Sequence, residues 1–416
     1  MSDSFAGRVV TLGVTSGIAC YKAVDLMRDL QRAGARIRVV LTAAAAELVR
    51  PALFEALSGE RVGTELWQGW PEGEEAGEYA RFPHLDFARV DAIVVAPATA
   101  DILAKAASGL ADDLLSTTLL AVDPRHTPVV LVPSMNATMY GHPAVVANRG
   151  VLRERGYWLV TPDEGPLACG EFGVGRWPGN RPVLDALDRL LNGSGRLAGR
   201  RIVVTAGRTE SDLDPARILT NRSTGRMGFA VARAAWRHGA DVTLIHGPTE
   251  LEALPFVHAV AVRTTEEMMD AVMEALPAAA QLWMTAAVSD WRPTVPREAK
   301  LKKSEWDGIL ELEPTVDILA RAVVERDPGT VVIGFAVETD DVERRAEEKR
   351  IAKGCDFIVV NNPLEEGAGF AHETNAVTLL GPERLRIRFD RMSKDVLADR
   401  LLGEVLDRVS TAAAAK

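Results

Sequence analysis

Residues 8–18 read RVVTLGVTSGI, and residues 201–209 read RIVVTAGRT. Each is an apolar run that breaks into a short polar turn containing glycine. Each leads to a helical pattern: 18–33 closed by Gly34 in the first case, and 226–238 closed by Gly239 in the second. A buried strand that runs through a tight turn into a helix opens a parallel α/β sheet. Working outward from the first stretch, 36–41, 91–96 and 127–132 are further apolar strand candidates. From the second, 241–246, 282–288, 330–336 and 356–360 repeat the pattern. Strands alternating with helices predict a doubly wound parallel sheet in each half.

The expected fold class is therefore α/β, with two Rossmann-like domains in tandem. A chain of 416 residues is longer than one core usually serves. A helix at about 182–192 is followed by Asn192-Gly193-Ser194-Gly195, the best linker composition in the chain, which sets the domains at 1–192 and 196–416. Residues 60–83 are rich in Gly, Glu and Trp with weak periodicity and read as a loop or flap. The Gly- and Pro-rich stretch 163–181 reads as an ordered loop.

A net charge of −10 argues against sequence-independent nucleic-acid binding, which needs a basic face. It leaves room for a local basic pocket and a phosphorylated small molecule. Three scattered cysteines, Cys20, Cys169 and Cys355, form no zinc pattern and read as free thiols of a reducing cytoplasm. The first residues, MSDSFAGRVV, lack the layout of a signal peptide. No apolar run reaches the roughly 18 residues of a membrane helix, so no membrane partner is expected.

In the first half, Gly13-Val14-Thr15-Ser16-Gly17-Ile18 joins strand to helix and suits a phosphate or plain tight packing; it is not the dinucleotide fingerprint. Ala96-Pro97-Ala98-Thr99-Ala100-Asp101 follows another strand at the end where open α/β sheets bind ligands; otherwise it is a helix start capped by Thr99. His84 reads as structural or as an acid/base. Asn136, in Pro133-Ser134-Met135-Asn136, is a carboxylate grip or a turn residue. Cys169, inside the Gly-rich stretch, is a proton donor on a mobile loop or a plain thiol.

The order and spacing of these motifs resemble the flavin-dependent cysteine decarboxylases over nearly all of residues 7–190. The family's S-G-G/S-I-A-x-Y-K is Thr15-Ser16-Gly17-Ile18-Ala19-Cys20-Tyr21-Lys22, and its H-I-x-L is His84-Leu85-Asp86-Phe87. A-P-A-T-A-D stands at 96–101, P-A/S-M-N-x-x-M at 133–139 and L-A-C-G-x-x-G-x-G-R at 167–176. More narrowly, the chain is similar to the bacterial bifunctional phosphopantothenoylcysteine decarboxylase/phosphopantothenate–cysteine ligases of coenzyme A synthesis. The resemblance implies a flavodoxin-like domain whose FMN is held by Thr15, Ser16, Gly17, Thr42, Ala96, Pro97, Thr99, Ser116 and Met135. It implies oxidation of the substrate thiol to a thioaldehyde, loss of carbon dioxide, and return of the electrons. His84 would be the acid/base, Asn136 would hold the carboxylate, and Cys169 would protonate the ene-thiolate. It also implies trimers with the flavin at the interface, so that His84 serves a neighbour's flavin. Asp112 departs from the family's usual Asn, adding a carboxylate that could shift the flavin potential.

In the second half, the loop running through Asn221-Arg222-Ser223-Thr224-Gly225-Arg226 suits an anion or a capped helix. Lys300-Leu301-Lys302-Lys303 is a triphosphate partner or a solvated face. Lys349 and Lys353 lie one helical turn apart, near Glu348 and Asp341. The order again resembles the bifunctional family, now its nucleotide-binding ligase half, over about 198–408. The matches include Ala286–Pro293 with A-A-V-A-D-Y/W-R-P, Gly334–Thr339 with G-F-A-A-E-T, and Gly369, Phe370 and Asn375 with the C-terminal signature.

The resemblance implies that 4′-phosphopantothenate is activated by CTP with Mg²⁺ to an acyl-cytidylate, which cysteine's amine attacks. Asn221 would stabilise the acyl intermediate, and Lys300 would lie nearest the phosphates. Asp290, Lys300, Val316, Asp317, Ile318, Leu319, Phe335, Lys349 and Lys353 would surround the nucleotide; metal ligands are unassigned. Dimeric ligase units combined with trimeric decarboxylase units would give a homo-oligomeric dodecamer. The ligase half departs from the pattern at Arg208, Arg226, Pro314-Thr315-Val316 and Asn362. A decarboxylase with a degenerate ligase half acting as an assembly module is one alternative. An NAD(P) oxidoreductase is another, disfavoured by the missing G-x-G-x-x-G.

Overall fold

The computed structural model describes residues 4–66, 82–252, 254–295, 297–300, 302, 308–365, 369 and 372–414. Lys303, Phe370 and most of the 60–83 stretch lie outside them. The chain divides into two compact units, Met1–Gly193 and Ser194–Lys416.

The first unit is built on β1 (Val9–Val14), β2 (Arg36–Leu41), β3 (Ala92–Ala98), β4 (Val129–Pro133) and β5 (Trp158–Leu159), a parallel sheet in the order β2-β1-β3-β4-β5. Successive side chains of a strand alternate between faces. Val10, Leu12, Val94, Val130 and Val132 therefore enter one core with Leu26, Leu30 and Leu187. Ile93, Val95, Val129 and Leu131 enter the other with Ile102, Leu103 and Leu152. Helices on both faces explain why these strands read as unbroken apolar runs rather than alternating ones. The helix expected over 18–33 begins as a 3₁₀ turn, Ile18–Tyr21, and continues as an α-helix over Lys22–Arg32.

The stretch 163–181 is not wholly loop. It folds into an antiparallel hairpin, β6 (Asp163–Pro166) and β7 (Phe172–Arg176), followed by the helix Arg181–Asn192. Its glycines hid the strand pattern because two of them sit where side chains would collide. A Cβ on Gly175 (φ 149°) would lie 2.1 Å from the Met135 carbonyl oxygen, and one on Gly173 would lie 2.8 Å from the Ala137 Cβ.

The second unit contains β8 (Arg201–Ala206), the hairpin β9 (Glu210–Asp214) and β10 (Arg217–Thr220), then β11 (Asp241–His246), β12 (His258–Ala261) and β13 (Ala279–Met284). A second small pair, β14 (Trp291–Pro293) and β15 (Leu312–Pro314), precedes β16 (Val331–Val337), β17 (Phe357–Asn361), β18 (Thr374–Leu380) and β19 (Arg386–Ser393). The main sheet runs β12-β11-β8-β13-β16-β17-β18-β19. Its first six strands are parallel, and the last two are antiparallel, which corrects the wholly parallel expectation. The strand expected over 282–288 starts three residues earlier and stops at Met284. Beyond that point Ala287 donates its N–H to Gly207 and bridges Arg208, so residues 285–288 belong to the loop that lines the site.

Candidate functional site

In the first unit the strand order reverses direction between β1 and β3. Open α/β sheets bind ligands at that switch point, outside the carboxyl ends of the strands. The fold brings most of the sequence-predicted flavin residues to this edge. Thr15 follows β1, Thr42 follows β2, Thr99 follows β3 and Met135 follows β4. The buried Thr15 hydroxyl ties two of these turns together: it donates to the Pro97 carbonyl at 2.8 Å and accepts from the Thr99 N–H at 3.1 Å. Gly17 seats between them, where a Cβ would lie 3.3 Å from the Pro97 ring and 3.6 Å from the Ser134 carbonyl.

Other hydroxyls at this edge differ in what they are committed to. Thr42 caps the helix Ala43–Leu48 through the Ala45 N–H. Ser116 is buried and shares a reciprocal capping box with Asp113. Thr99 holds the N-cap position of Ala100–Ser108, yet its side chain makes no capping bond, against the expectation that it caps. With the exposed Ser16, it leaves hydroxyl and backbone N–H donors at the switch point, a set that suits a phosphate monoester. The extra carboxylate of Asp112 is ion-paired locally, sharing one ammonium with two other aspartates. Lys105 Nζ lies 2.9 Å from it, 2.8 Å from Asp113 and 3.5 Å from Asp101. Hydrogen bonds to Asp113 and Asp112 hold the Lys105 ammonium well above the ordinary lysine range. Burial opposes ionisation of Asp113, but Lys105 and Ser116 outweigh it and keep the carboxyl low.

The motifs at 133–139 and 167–176 pack on one another. Met135 donates its N–H to the Gly175 carbonyl at 3.0 Å. Asn136 caps the short helix Ala137–Gly141 through its Oδ1 and turns its Nδ2 to the hairpin tip. There the amide lies 3.4 Å from the exposed Cys169 Sγ and also donates to the Glu171 carboxylate. Sequence reading passed over Glu171; its carboxylate stands on the very amide that the resemblance assigns to a substrate carboxylate. His84 is half-buried on the helix Pro83–Ala88, edge-on to Phe82 with ring centroids 6.3 Å apart. Cys20 and Cys355 are buried thiols whose pKa burial pushes up, which leaves Cys169 as the exposed cysteine.

In the second unit a cavity of about 590 Å³ opens at the carboxyl end of the parallel strands. Asn221, Asp290, Val316, Asp317, Ile318, Leu319, Phe335, Lys349 and Lys353 all line it. Lys300 lies on the exposed segment between β14 and β15 and is not among the lining residues. Asn221 is oriented by the loop that follows β13: its Nδ2 donates to the Ala287 and Val288 carbonyls at 3.1 and 3.0 Å. Lys349 and Lys353 share one face of the helix Val342–Lys353. Glu348 and Asp341 pair with Arg344, not with these lysines. Lys349 instead meets Glu338 at 2.8 Å, and Lys353 pairs with Asp317, which caps the helix Ile318–Glu325. Each lysine thus lines the cavity with its charge already paired to a carboxylate. Sequence reading missed Asn361 and Lys394, which also line it. Among the described residues no cluster of three His, Cys, Asp or Glu could hold a metal, and no helix is long and apolar enough to cross a membrane.

Comparison with known proteins places this geometry. The flavoprotein family model matches residues 2–192, and the model for the C-terminal domain of DNA/pantothenate metabolism flavoproteins matches 197–409. The chain is 39% identical over 402 residues to the coenzyme A biosynthesis bifunctional protein CoaBC of Bacillus subtilis (strain 168), covering 96% of each chain. It is 37% identical over 409 residues to the protein of that name from Escherichia coli (strain K12), covering 97% of this chain and 98% of the other. Among solved structures, the C-terminal domain of a CoaBC protein is 33% identical, with a TM-score of 0.45, covering 52% of this chain and all of that one. With relatives this similar along nearly their whole length, the chain belongs to the family of coenzyme A biosynthesis bifunctional proteins, CoaBC.

Proposed function

We propose that this protein ligates cysteine to 4′-phosphopantothenate at the expense of CTP and decarboxylates the product to 4′-phosphopantetheine, the first step in residues 194–416 and the second in residues 1–193. The observation that carries the reading is the meeting of Asn136 and Cys169 beside the switch point of a flavoprotein sheet. That pairing puts an amide that can grip a carboxylate beside a thiol that can deliver a proton. Free thiols fit the cytoplasm as the compartment. Trimers of the first unit and dimers of the second, joined into a dodecamer, belong to the same proposal.

FMN, when bound, supplies a reversible two-electron sink for the substrate thiol. The chain's part is to position and to move protons. Thr15 locks together two turns that would frame the FMN phosphate, which Ser16, Thr99 and the first-turn N–H groups would hold. Asn136 exchanges the Glu171 carboxylate for that of the substrate. Loss of carbon dioxide leaves an ene-thiolate, and Cys169 returns a proton to its carbon. His84 is the acid/base at the thiol end. The test is the purified protein itself, which is expected to be yellow and to release FMN rather than FAD, since one phosphate turn is present. A colourless protein that cannot be reconstituted with FMN contradicts the reading.

In the ligation, the carboxylate of 4′-phosphopantothenate attacks the α-phosphorus of CTP and pyrophosphate leaves. Cysteine's amine then displaces CMP from the acyl-cytidylate. Asn221, fixed by two carbonyls, is placed to steady the acyl group, and Lys349 and Lys353 supply positive charge at the nucleotide. Mg²⁺ would arrive on the nucleotide's phosphates, with Asp290 and Asp317 as the nearby carboxylates. Lys300→Gln is expected to slow ligation by about 10²–10³ without touching decarboxylation, because a cation brought to the departing phosphates stabilises the charge that builds there, although Lys300 lies outside the cavity lining when no nucleotide is bound. Steady-state ligation with CTP, and separately ATP, checks this. A wild-type rate in the variant would assign Lys300 to the solvated surface.

A further inference from the structure

The tip of the β6–β7 hairpin is a turn closed on itself. Leu167 donates its N–H to the Glu171 carbonyl at 2.8 Å, and Gly170, at φ 85°, donates to the Leu167 carbonyl at 2.9 Å. The strand that follows is seated on residues 135–137 by the Met135–Gly175 hydrogen bond and by the close approach of Gly173 to Ala137. That seating brings Glu171 to Asn136. The Asn136 amide has a fixed orientation: its Oδ1 accepts from the Thr138 and Met139 N–H groups at 2.8 and 3.4 Å, so its Nδ2 faces the hairpin. An amide nitrogen carries two hydrogens. One is directed to Cys169 Sγ, 3.4 Å away, and the other goes to the Glu171 carboxylate. Among the described residues no ion pair holds that carboxylate. Glu171 is also exposed, and a hydrogen bond made in water gains little over one made to water itself. The place on the amide is therefore filled, but weakly.

We propose that Glu171 is a built-in competitor for the substrate's carboxylate: it sets the affinity for substrate and gives way only to a ligand that carries that group. The proposal rests on the decarboxylase reading above. Two carboxylates cannot share the one remaining N–H, because like charges repel at that range. An arriving substrate brings the same chemical group as Glu171, together with the contacts of its remaining atoms, and displaces it. Once carbon dioxide has left, the organic product has no carboxylate, and Glu171 retakes the amide. The apparent affinity of a carboxylate ligand is lowered by the fraction of molecules in which the amide is already taken. A ligand without the carboxylate does not meet this competition.

The experiment is titration of the full-length, FMN-loaded protein with two unreactive ligands, followed through the flavin absorbance so that binding at the ligase cavity does not register. One ligand is 4′-phosphopantothenoylserine, in which a hydroxyl replaces the thiol; the other is the same molecule without its carboxylate. Glu171→Ala is expected to bind the first about 3–30-fold more tightly than wild type does, the reach of one exposed hydrogen bond to a charged group. It is expected to bind the second with unchanged affinity. A purely structural role for Glu171 would weaken both. Glu164→Ala removes the same charge from β6 of the same hairpin and is expected to change neither. An equal gain in Glu164→Ala reduces the effect to general repulsion and overturns the proposal. So does a Glu171→Ala protein that binds the serine ligand no more tightly than wild type, or one that gains equally for both ligands. A wild type that binds the serine ligand but does not decarboxylate 4′-phosphopantothenoylcysteine counts against the decarboxylase reading and leaves the competition standing.

Discussion

His84→Asn is expected to abolish carbon dioxide release from 4′-phosphopantothenoylcysteine while ligation continues at the wild-type rate. Asn is close to His in size and keeps a hydrogen-bonding end, so the short helix Pro83–Ala88 and the contact with Phe82 have no reason to fail. What Asn lacks is a ring nitrogen that can both take up and give back a proton. A positioned acid/base is worth about 10²–10⁴ in rate, enough to bring decarboxylation to background. Ligation survives because the described residues that line its cavity all belong to the second unit. Both rates are read from one preparation. Loss of both in a folded variant contradicts independent sites, and full decarboxylation removes His84 from the mechanism.

Cys169→Ser is expected to stop the same reaction later. The hydroxyl occupies nearly the same position near the Asn136 amide, 3.4 Å from it in the thiol form, so substrate is still held. A hydroxyl is a far weaker acid than a thiol, so the ene-thiolate is not protonated in time. The step slows by about 10²–10⁴. Carbon dioxide is released once, and the oxidised, decarboxylated product accumulates, detectable by mass spectrometry. Full turnover with no such species would show that Cys169 is not the donor.

Much of the architecture was legible because buried parallel strands advertise themselves. The run at 9–14 is buried on both faces, those at 36–41 and 241–246 start polar on one face and become apolar further along, and turns closed by Gly34 and Gly239 punctuate them. What escaped has physical causes. In β7 the glycines are required by contact with Met135 and Ala137, so the strand shows no alternating side chains to read. At the edge of the second sheet, β19 reads RIRFDRMS, in which only Phe389 is deeply buried, and the pattern is that of a polar surface. Ala286, Ala287 and Val288 are apolar enough to extend β13, but they face the cavity instead.

The site was legible to a different degree in each half. Motif order located the carboxyl edge of the first sheet because its residues follow their strands directly. In the second unit, Lys394 lies some 170 positions from Arg226, its neighbour at the cavity. Only folding brings the starts of their two helices together, and no local pattern distinguishes that lysine from others on the surface. The carboxylate of Glu171, seated on Asn136, was equally invisible, since nothing in its spacing separates it from a solvated glutamate.

The most direct test of the bifunctional assignment is one incubation of the purified, FMN-loaded protein with 4′-phosphopantothenate, cysteine, CTP and Mg²⁺, followed by mass spectrometry over time. The expected course is CMP and pyrophosphate formation, transient 4′-phosphopantothenoylcysteine, and then 4′-phosphopantetheine with an equal amount of carbon dioxide. If supplied 4′-phosphopantothenoylcysteine is decarboxylated but none is ever made from 4′-phosphopantothenate and cysteine, the second unit is not a ligase and the assignment fails.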